Sequence, residues 1–423
     1  MVFLVTCYAT HRLCHKVKAI KPFSRKHRFV HTHAQGDKKS GYAFEIKPDV
    51  TVYDASIKDC TSLGCDSFQF DMFIEFKRHA KDDPFTSPSS NEPATVPSVG
   101  ENNEDEDEPF SPASSDGSLS TLTSLSSDRS LDELSTGPPL DYEDALPSAR
   151  VNKPFINPSS ASKLILGQIG AYASAQLASQ FCTHCFSVCI FKDIARIIRW
   201  DREGAVVTEP ILYNVDSSLL EFFFRFSQAP SELRGVDTTV TSTSEHEAAR
   251  ARTKLGLPPD MPLFKTTVPR SADGMPFTII FPQPFIVPTT PACCGTCTCA
   301  TYDPLGDRKV FFKDSWRVDV DGITAEGDVY AILNKQGVPH VPNCLASRDV
   351  QCAPEQRTKM VRYSKNSWVF AGELAPTAHR HHRIVLDIVG TCLDSFSSSR
   401  ELVQAVHDAL IGGWLPFYDG MIQ

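Results

Sequence analysis

The chain has 423 residues, 41% of them hydrophobic, and a formal net charge of −9, enough for two or three domains with their own apolar cores. No run of about 18 apolar residues occurs, which excludes a spanning helix, and Met1-Val-Phe-Leu-Val-Thr-Cys7 lacks the length and basic lead-in of a signal peptide. Fourteen unevenly spaced cysteines suit a reducing compartment better than a disulfide scaffold, so an intracellular location, cytoplasm or nucleus, is expected.

The charge is segregated. Residues 1–40 carry nine Lys/Arg and one Asp, net +8, and read as a solvated basic tail. Residues 82–147 carry 16 acidic residues and one basic residue, Arg129, net −15. The stretch 82–160 is poor in hydrophobics and rich in Ser, Pro, Asp and Glu. It cannot bury enough apolar surface to offset its ordering entropy, and reads as a disordered acidic insert. The insert divides an N-terminal α/β domain made of residues 41–81 and 161–228. Residues 229–261 read as a connector, and residues 262–423 as a further folded region. The fold class expected is therefore multidomain α+β or α/β.

In the N-terminal domain, Lys47-Pro48-Asp49 reads as a turn feeding a strand. The run Phe68–Lys77 alternates, with Phe68, Phe70, Met72, Ile74 and Phe76 on one face and Gln69, Asp71, Phe73, Glu75 and Lys77 on the other. Glu75 and Lys77 thus share a sheet face, with Asp49 upstream. The order Pro48-Asp49 … Glu75-Phe76-Lys77 resembles the PD…(D/E)xK pattern of restriction-endonuclease-like nucleases. That resemblance implies two carboxylates holding Mg²⁺, an assisting lysine and a glutamine on the following helix, here Gln168 or Gln176. D/E-x-K strands are common, and a purely structural version of that fold accounts for the same residues.

Farther along, Gly167–Gln176 reads as a helix, and Cys185–Phe191 and Ala195–Trp200 as strands, with a hairpin turn at Asp201-Arg-Glu-Gly204. Helices follow at Ser217–Phe226 and around Glu245–Lys254. Val310–Arg317 reads as a strand with Lys313, Phe311, Ser315 and Arg317 on one face. Glu326–Leu333 reads as a helix with Glu326, Val329, Tyr330 and Leu333 along one stripe. A carboxylate on such a stripe needs a partner, and Lys313 on the preceding strand can supply it. The alternative is a surface lysine and a half-exposed glutamate that never meet. The pairs Cys182/Cys185 and Cys294/Cys297 have zinc-ligand spacing. However, strand alternation turns Cys182 and Cys185 to opposite faces, so no metal is expected there. His379, His381 and His382 read as solvated residues of a basic loop.

The strings ARIIRWDREGAVVT (195–208), FFFRFS (222–227), GVDTTV (235–240), FFKDSWR (311–317) and EGDVYAIL (326–333) resemble the fungal-type protein kinases. So do the runs 383–396 and 400–410, and the similarity extends from about residue 165 to 410. The resemblance implies a protein-kinase-like small lobe and the start of a large lobe in residues 262–423. It also implies ATP and Mg as cofactors, phosphoryl transfer to Ser/Thr of a protein substrate, Lys313 as the phosphate-holding lysine and Glu326 as its helix partner. Pro284–Tyr302 would supply the first two strands and the phosphate loop, with Gly295 the one glycine of Cys293-Cys-Gly-Thr-Cys-Thr-Cys299. The chain looks truncated before the catalytic loop: no His-Arg-Asp and no Asp-Phe-Gly occurs, and Asp408 and Asp419 are the only candidates for the missing catalytic carboxylates. A catalytically incomplete kinase relative is therefore expected. The alternative is a non-catalytic pseudokinase or scaffold with a nuclease-like N-terminal domain, for which a protein partner and nucleic acid both come into view.

Overall fold

The computed structural model describes residues 17, 19, 21–37, 44–57, 64–86, 155–270, 273–283, 290–363 and 376–418. Most of the acidic insert and Asp419 lie outside the described residues. The described chain is α+β, built on two sheets.

The first sheet has six strands, β1 (His27–His31), β2 (Val50–Asp54), β3 (Phe70–Lys77), β4 (His184–Phe191), β5 (Ile194–Asp201) and β6 (Gly204–Val207), in that spatial order. Every neighbouring pair is antiparallel except β3 and β4, which run parallel. A parallel pair needs a long crossover. It comes from helix α2 (Ser160–Ser179), which follows the short helix α1 (Lys21–Lys26) in the chain. Ser159 caps α2 by accepting from the Ser162 amide. Ile169, Tyr172, Ala173 and Leu177 of α2 pack on Phe73, Cys189 and Trp200. The opposite face is covered by helix α3 (Ser218–Gln228), whose Leu219, Phe223 and Phe226 meet Val52, Ile74 and Val188. Both sheet faces are buried, giving three layers.

Three expectations for this half are corrected. The basic tail is not solvated throughout: Phe23 and Val30 are buried, and residues 27–31 form the edge strand. Its apolar residues are few, but Phe23 joins the core under α3 and Val30 the core under α2, while the intervening Arg25, Lys26 and Arg28 stay exposed. The alternation of residues 68–77 breaks at a register shift opposite Val52/Tyr53, which turns Phe70 to the same core as Phe73. The insert's two ends belong to the fold, because Phe85 bridges Ile156 and the buried Asp83 pairs with Arg196 at 2.7 Å.

The second sheet has seven strands: β7 (Thr241–Ser242), β8 (Leu263–Pro269), β9 (Pro276–Pro282), β10 (Cys297–Asp303), β11 (Arg308–Val318), β12 (Cys344–Asp349) and β13 (His379–Leu386). Their spatial order is β12-β13-β11-β10-β9-β8-β7, antiparallel throughout. A bridge between Arg270 and Ala346 brings the end of β8 against β12, curling the sheet around Phe277, Phe281, Val310, Phe312 and Val385. Helix α4 (Glu245–Leu255), held by a Ser244/Glu247 capping box, lays Ala248 and Ala251 against Leu263, Ile280 and Tyr302. Helices α5 (Glu326–Lys335) and α6 (Ser399–Tyr418) complete this half.

Here too the expectations shift. The stretch read as a connector contributes β7 and α4 to the second half. The first strand before the expected phosphate loop is β9, Pro276–Pro282, ahead of residue 284, and residues 284–289 lie outside the described chain. The histidine-rich loop is a strand, with His381 and His382 buried. Charged residues at alternate positions of β13 are tolerated because carboxylates from β11 and β12 face them.

Candidate functional site

Lys313 sits in the middle of β11, between Thr298 of β10 and Ile384 of β13. Its Nζ donates to Glu326 Oε2 at 2.5 Å. Glu326 is the first residue of α5, and the lysine and glutamate side chains remain 26% and 41% exposed. The face Glu326–Val329–Tyr330–Leu333 is half-buried along its length. An ion pair this wet contributes little to stability. Its effect is to fix where an ammonium group points while leaving it reachable. The helix approaches β12 closely at the buried Gly327, where a Cβ would overlap the Ser347 hydroxyl group.

Gly295 does not share that site. It adopts a left-handed conformation, φ +52°, and a Cβ there would lie 2.8 Å from Arg202 Cζ. Arg202 donates to Leu177 O at 2.6 Å. Gly295 is therefore seated against Arg202 of the β5–β6 turn, which in turn holds the end of α2. Asp408 is half-buried on α6, where it accepts from Gln404 at 2.7 Å.

Behind the lysine, on the opposite face of β11, lies a buried ionic network that the sequence reading missed. Arg383, 2% exposed, donates to Asp237 at 2.5 Å and to Asp314 at 3.0 Å, and also to the hydroxyls of Thr239 and Thr266. Gln356 Nε2 donates to Asp237 at 2.7 Å, which turns its Oε1 toward His381 Nδ1; His381 Nε2 meets Asp314. Both ring nitrogens thus face oxygen acceptors and the ring stacks on Trp316, 4.9 Å between centroids. Burial works to raise the Asp237 and Asp314 carboxyls, but the Arg383 and His381 charges overcome it and hold both below the usual range. Asp237 and Asp314 lie in the GVDTTV and FFKDSWR strings. Charged residues inside otherwise apolar or hydroxylic strands were the available signal.

On the first sheet the structure brings Asp49, Glu75, Lys77 and Gln168 together. Glu75, 3% exposed, accepts from Lys77 Nζ at 2.6 Å and from Gln168 Nε2 at 3.0 Å through Oε1, and from the Asp49 amide at 3.3 Å through Oε2. Lys77 Nζ also reaches Gln168 Oε1 at 2.9 Å, and Asp49 Oδ2 accepts from the Phe76 amide at 2.8 Å. Burial, reinforced by the Asp49 charge, pushes the Glu75 carboxyl up to about 7. Burial also raises Asp49. Tyr172, one helical turn beyond Gln168, joins the cluster by accepting from Gln168 Nε2 at 2.8 Å and donating to Lys47 O. The spacing of four along α2 could have pointed to it. Gln176 is elsewhere, donating to Phe70 O and Asp71 O. Asp49 is half-buried, and its carboxylate and that of Glu75 are the groups that could hold a hard divalent cation.

Cys182 is half-buried with its thiol directed at Gln176 O, and burial pushes it up to about 12. Among the described residues no three His, Cys, Asp or Glu side chains are grouped to hold a metal, and no helix is long and apolar enough to cross a membrane.

The fold and these sites define a two-sheet α+β protein with a strand lysine held by a helix glutamate on its second sheet. A family model described as fungal protein kinase matches residues 157–415, more than half of the chain, and the chain belongs to that family. The match takes in α2 and strands β4–β6 of the first sheet as well as the second sheet. Comparisons with curated proteins and with solved structures matched none.

Proposed function

We propose that this member of the fungal protein kinase family binds MgATP through Lys313. One observation carries the reading: Lys313 Nζ lies 2.5 Å from Glu326 Oε2. The lysine is on the third of three consecutive strands, β9–β11, and the helix that follows them bears the glutamate. Protein kinases hold the ATP phosphates by this strand-lysine and helix-glutamate pair. Glu326 orients the ammonium group, and the pair's partial exposure leaves room for phosphate oxygens. The family reaction is phosphoryl transfer to protein Ser/Thr. That step draws on metal-holding and base carboxylates of His-Arg-Asp and Asp-Phe-Gly type, which do not occur in the 423 residues. The reading for this chain is nucleotide binding at Lys313. Calorimetric titration with MgATP tests it, with binding expected for the wild type and lost in Lys313→Ala. Equal affinity in both would refute the site.

A second reading, favoured by the convergence of Asp49, Glu75, Lys77 and Gln168, is a restriction-endonuclease-like site on the first sheet. Asp49 and Glu75 would hold Mg²⁺, which supplies charge for a phosphodiester and its attacking water. Lys77 and Gln168 hold Glu75 in place and present donors beside it. Mg²⁺-dependent cleavage of DNA or RNA by the wild type, absent in Glu75→Ala, is the expected result; no cleavage by the wild type rejects the reading.

A further inference from the structure

We infer that the cleft beside the first turn of α5 is a docking site for a phosphorylated peptide. The cleft, about 700 Å³, lies between α5, β12, β13 and the end of β8, and four arginines line it: Arg270, Arg317, Arg348 and Arg380. Two of the four are neutralised in place. Arg317 forks onto Asp349 at 2.8 and 2.6 Å, and Arg380 pairs with Glu355 at 2.7 Å and Asp319 at 3.1 Å. The other two have no carboxylate partner among the described residues: Arg270 lies over the Phe277 ring at 5.1 Å, and Arg348 is exposed on the rim. Two guanidinium groups without counter-charges on one concave surface suit an anion with several acceptor oxygens, and the planar fork matches phosphate.

The remaining charges select among anions. Asp328 also lines the cleft, beside the paired Asp349 and Glu355, so a polyanion such as nucleic acid would meet repulsion. A single phosphoryl group flanked by basic residues would satisfy both sets. The backbone at Ala325 and Gly327 closes one side, and Ala325 provides no side-chain cap for α5. A phosphate here therefore also lies near the helix end that carries Glu326. The proposal concerns binding only and is independent of whether Lys313 holds a nucleotide.

The test is fluorescence anisotropy of the full chain with two degenerate peptide pools, one with phosphoserine and one with serine at a fixed centre flanked by arginine. Binding is expected for the phosphorylated pool alone. Arg348→Ala and Arg270→Ala should each weaken it about tenfold, the loss of one charge-assisted contact, with Arg400→Ala on α6 unchanged. Hydrogen exchange over residues 326–335 should slow when the phosphorylated pool is bound. Arg348 is exposed, so its variant should fold. Equal binding of both pools, no binding of either, or full affinity in Arg348→Ala overturns the proposal. A single-stranded oligonucleotide that binds in place of the peptides and is lost in the same variants overturns the choice of peptide.

Discussion

Removing Asp237 should unfold much of what joins the two halves of this protein. In the wild type the buried Arg383 and the doubly hydrogen-bonded His381 face two carboxylates, the buried Asp237 and the half-buried Asp314. Asp237→Ala leaves Arg383 with Asp314 as its one carboxylate. It also strips the acceptor from Gln356 Nε2 and from the Thr239 hydroxyl and amide. Breaking a buried pair from one side costs about 3–5 kcal/mol, a large part of the 5–15 kcal/mol that roughly holds a domain folded. The loss should appear as a fall in the urea midpoint followed by circular dichroism at pH 7.5, with little change in slope. The double variant Asp237→Ala/Arg383→Met removes the stranded guanidinium and should recover a good part of the loss. A single-variant loss under about 1 kcal/mol, or a double variant no better than the single, would refute the buried-charge account.

The same network sets an acid limit. Asp237 and Asp314 are held below their unfolded values, so their contribution is full above the unfolded value of about 4 and is lost as pH falls through the lower folded values; Asp237→Ala should flatten that part of the stability–pH curve. Glu75 has the opposite sign. Its folded value of about 7 against an ordinary 4.5 means a cost that grows from pH 4.5 to about 7 and is full above it, up to about 3 kcal/mol. Glu75→Gln should therefore raise the urea midpoint at pH 8 and leave it unchanged at pH 4; a fall at pH 8 would contradict this. Gly295→Ala should lower the thermal midpoint by the equivalent of about 1–3 kcal/mol, from a left-handed backbone and contact with Arg202. Gly327→Ala, which drives a methyl group into Ser347, should raise hydrogen exchange across 326–335 while the rest of the chain keeps its protection.

Local patterns carried the elements whose partners are nearby in sequence. Strand β4, the β5–β6 hairpin, α2, α4, β11 and α5 lie where alternation, turn residues and apolar spacing point, and the order Asp49, Glu75, Lys77 is readable because strand geometry puts i and i+2 on one face. What escaped was set by distant partners. His381 reads as solvated until Asp314 is placed opposite, 67 residues away, and the partner of Arg383, Asp237, lies 146 residues away. Phe70 changes face because of a register shift that depends on β2. The role of Gly295 could not be read at all, since Arg202, which occupies the space a side chain would need, comes from the other sheet.

The stem of the acidic insert has a consequence for the chain's continuity. Thr86 donates to Phe155 O at 2.7 Å and Asn157 to Pro84 O at 2.8 Å, so the two ends of the insert leave the fold side by side. The insert's length then enters only through a slowly varying closure entropy. Protease cleavage between residues 88 and 153 would yield two pieces that stay together. The piece ending after β3 inserts that strand between β2 and β4, and Arg196 of the second piece holds Asp83 of the first. Such a clipped protein should run as one species in native gels and as two under denaturation, and the fragments, expressed separately, should reassemble on the β3–β4 ladder.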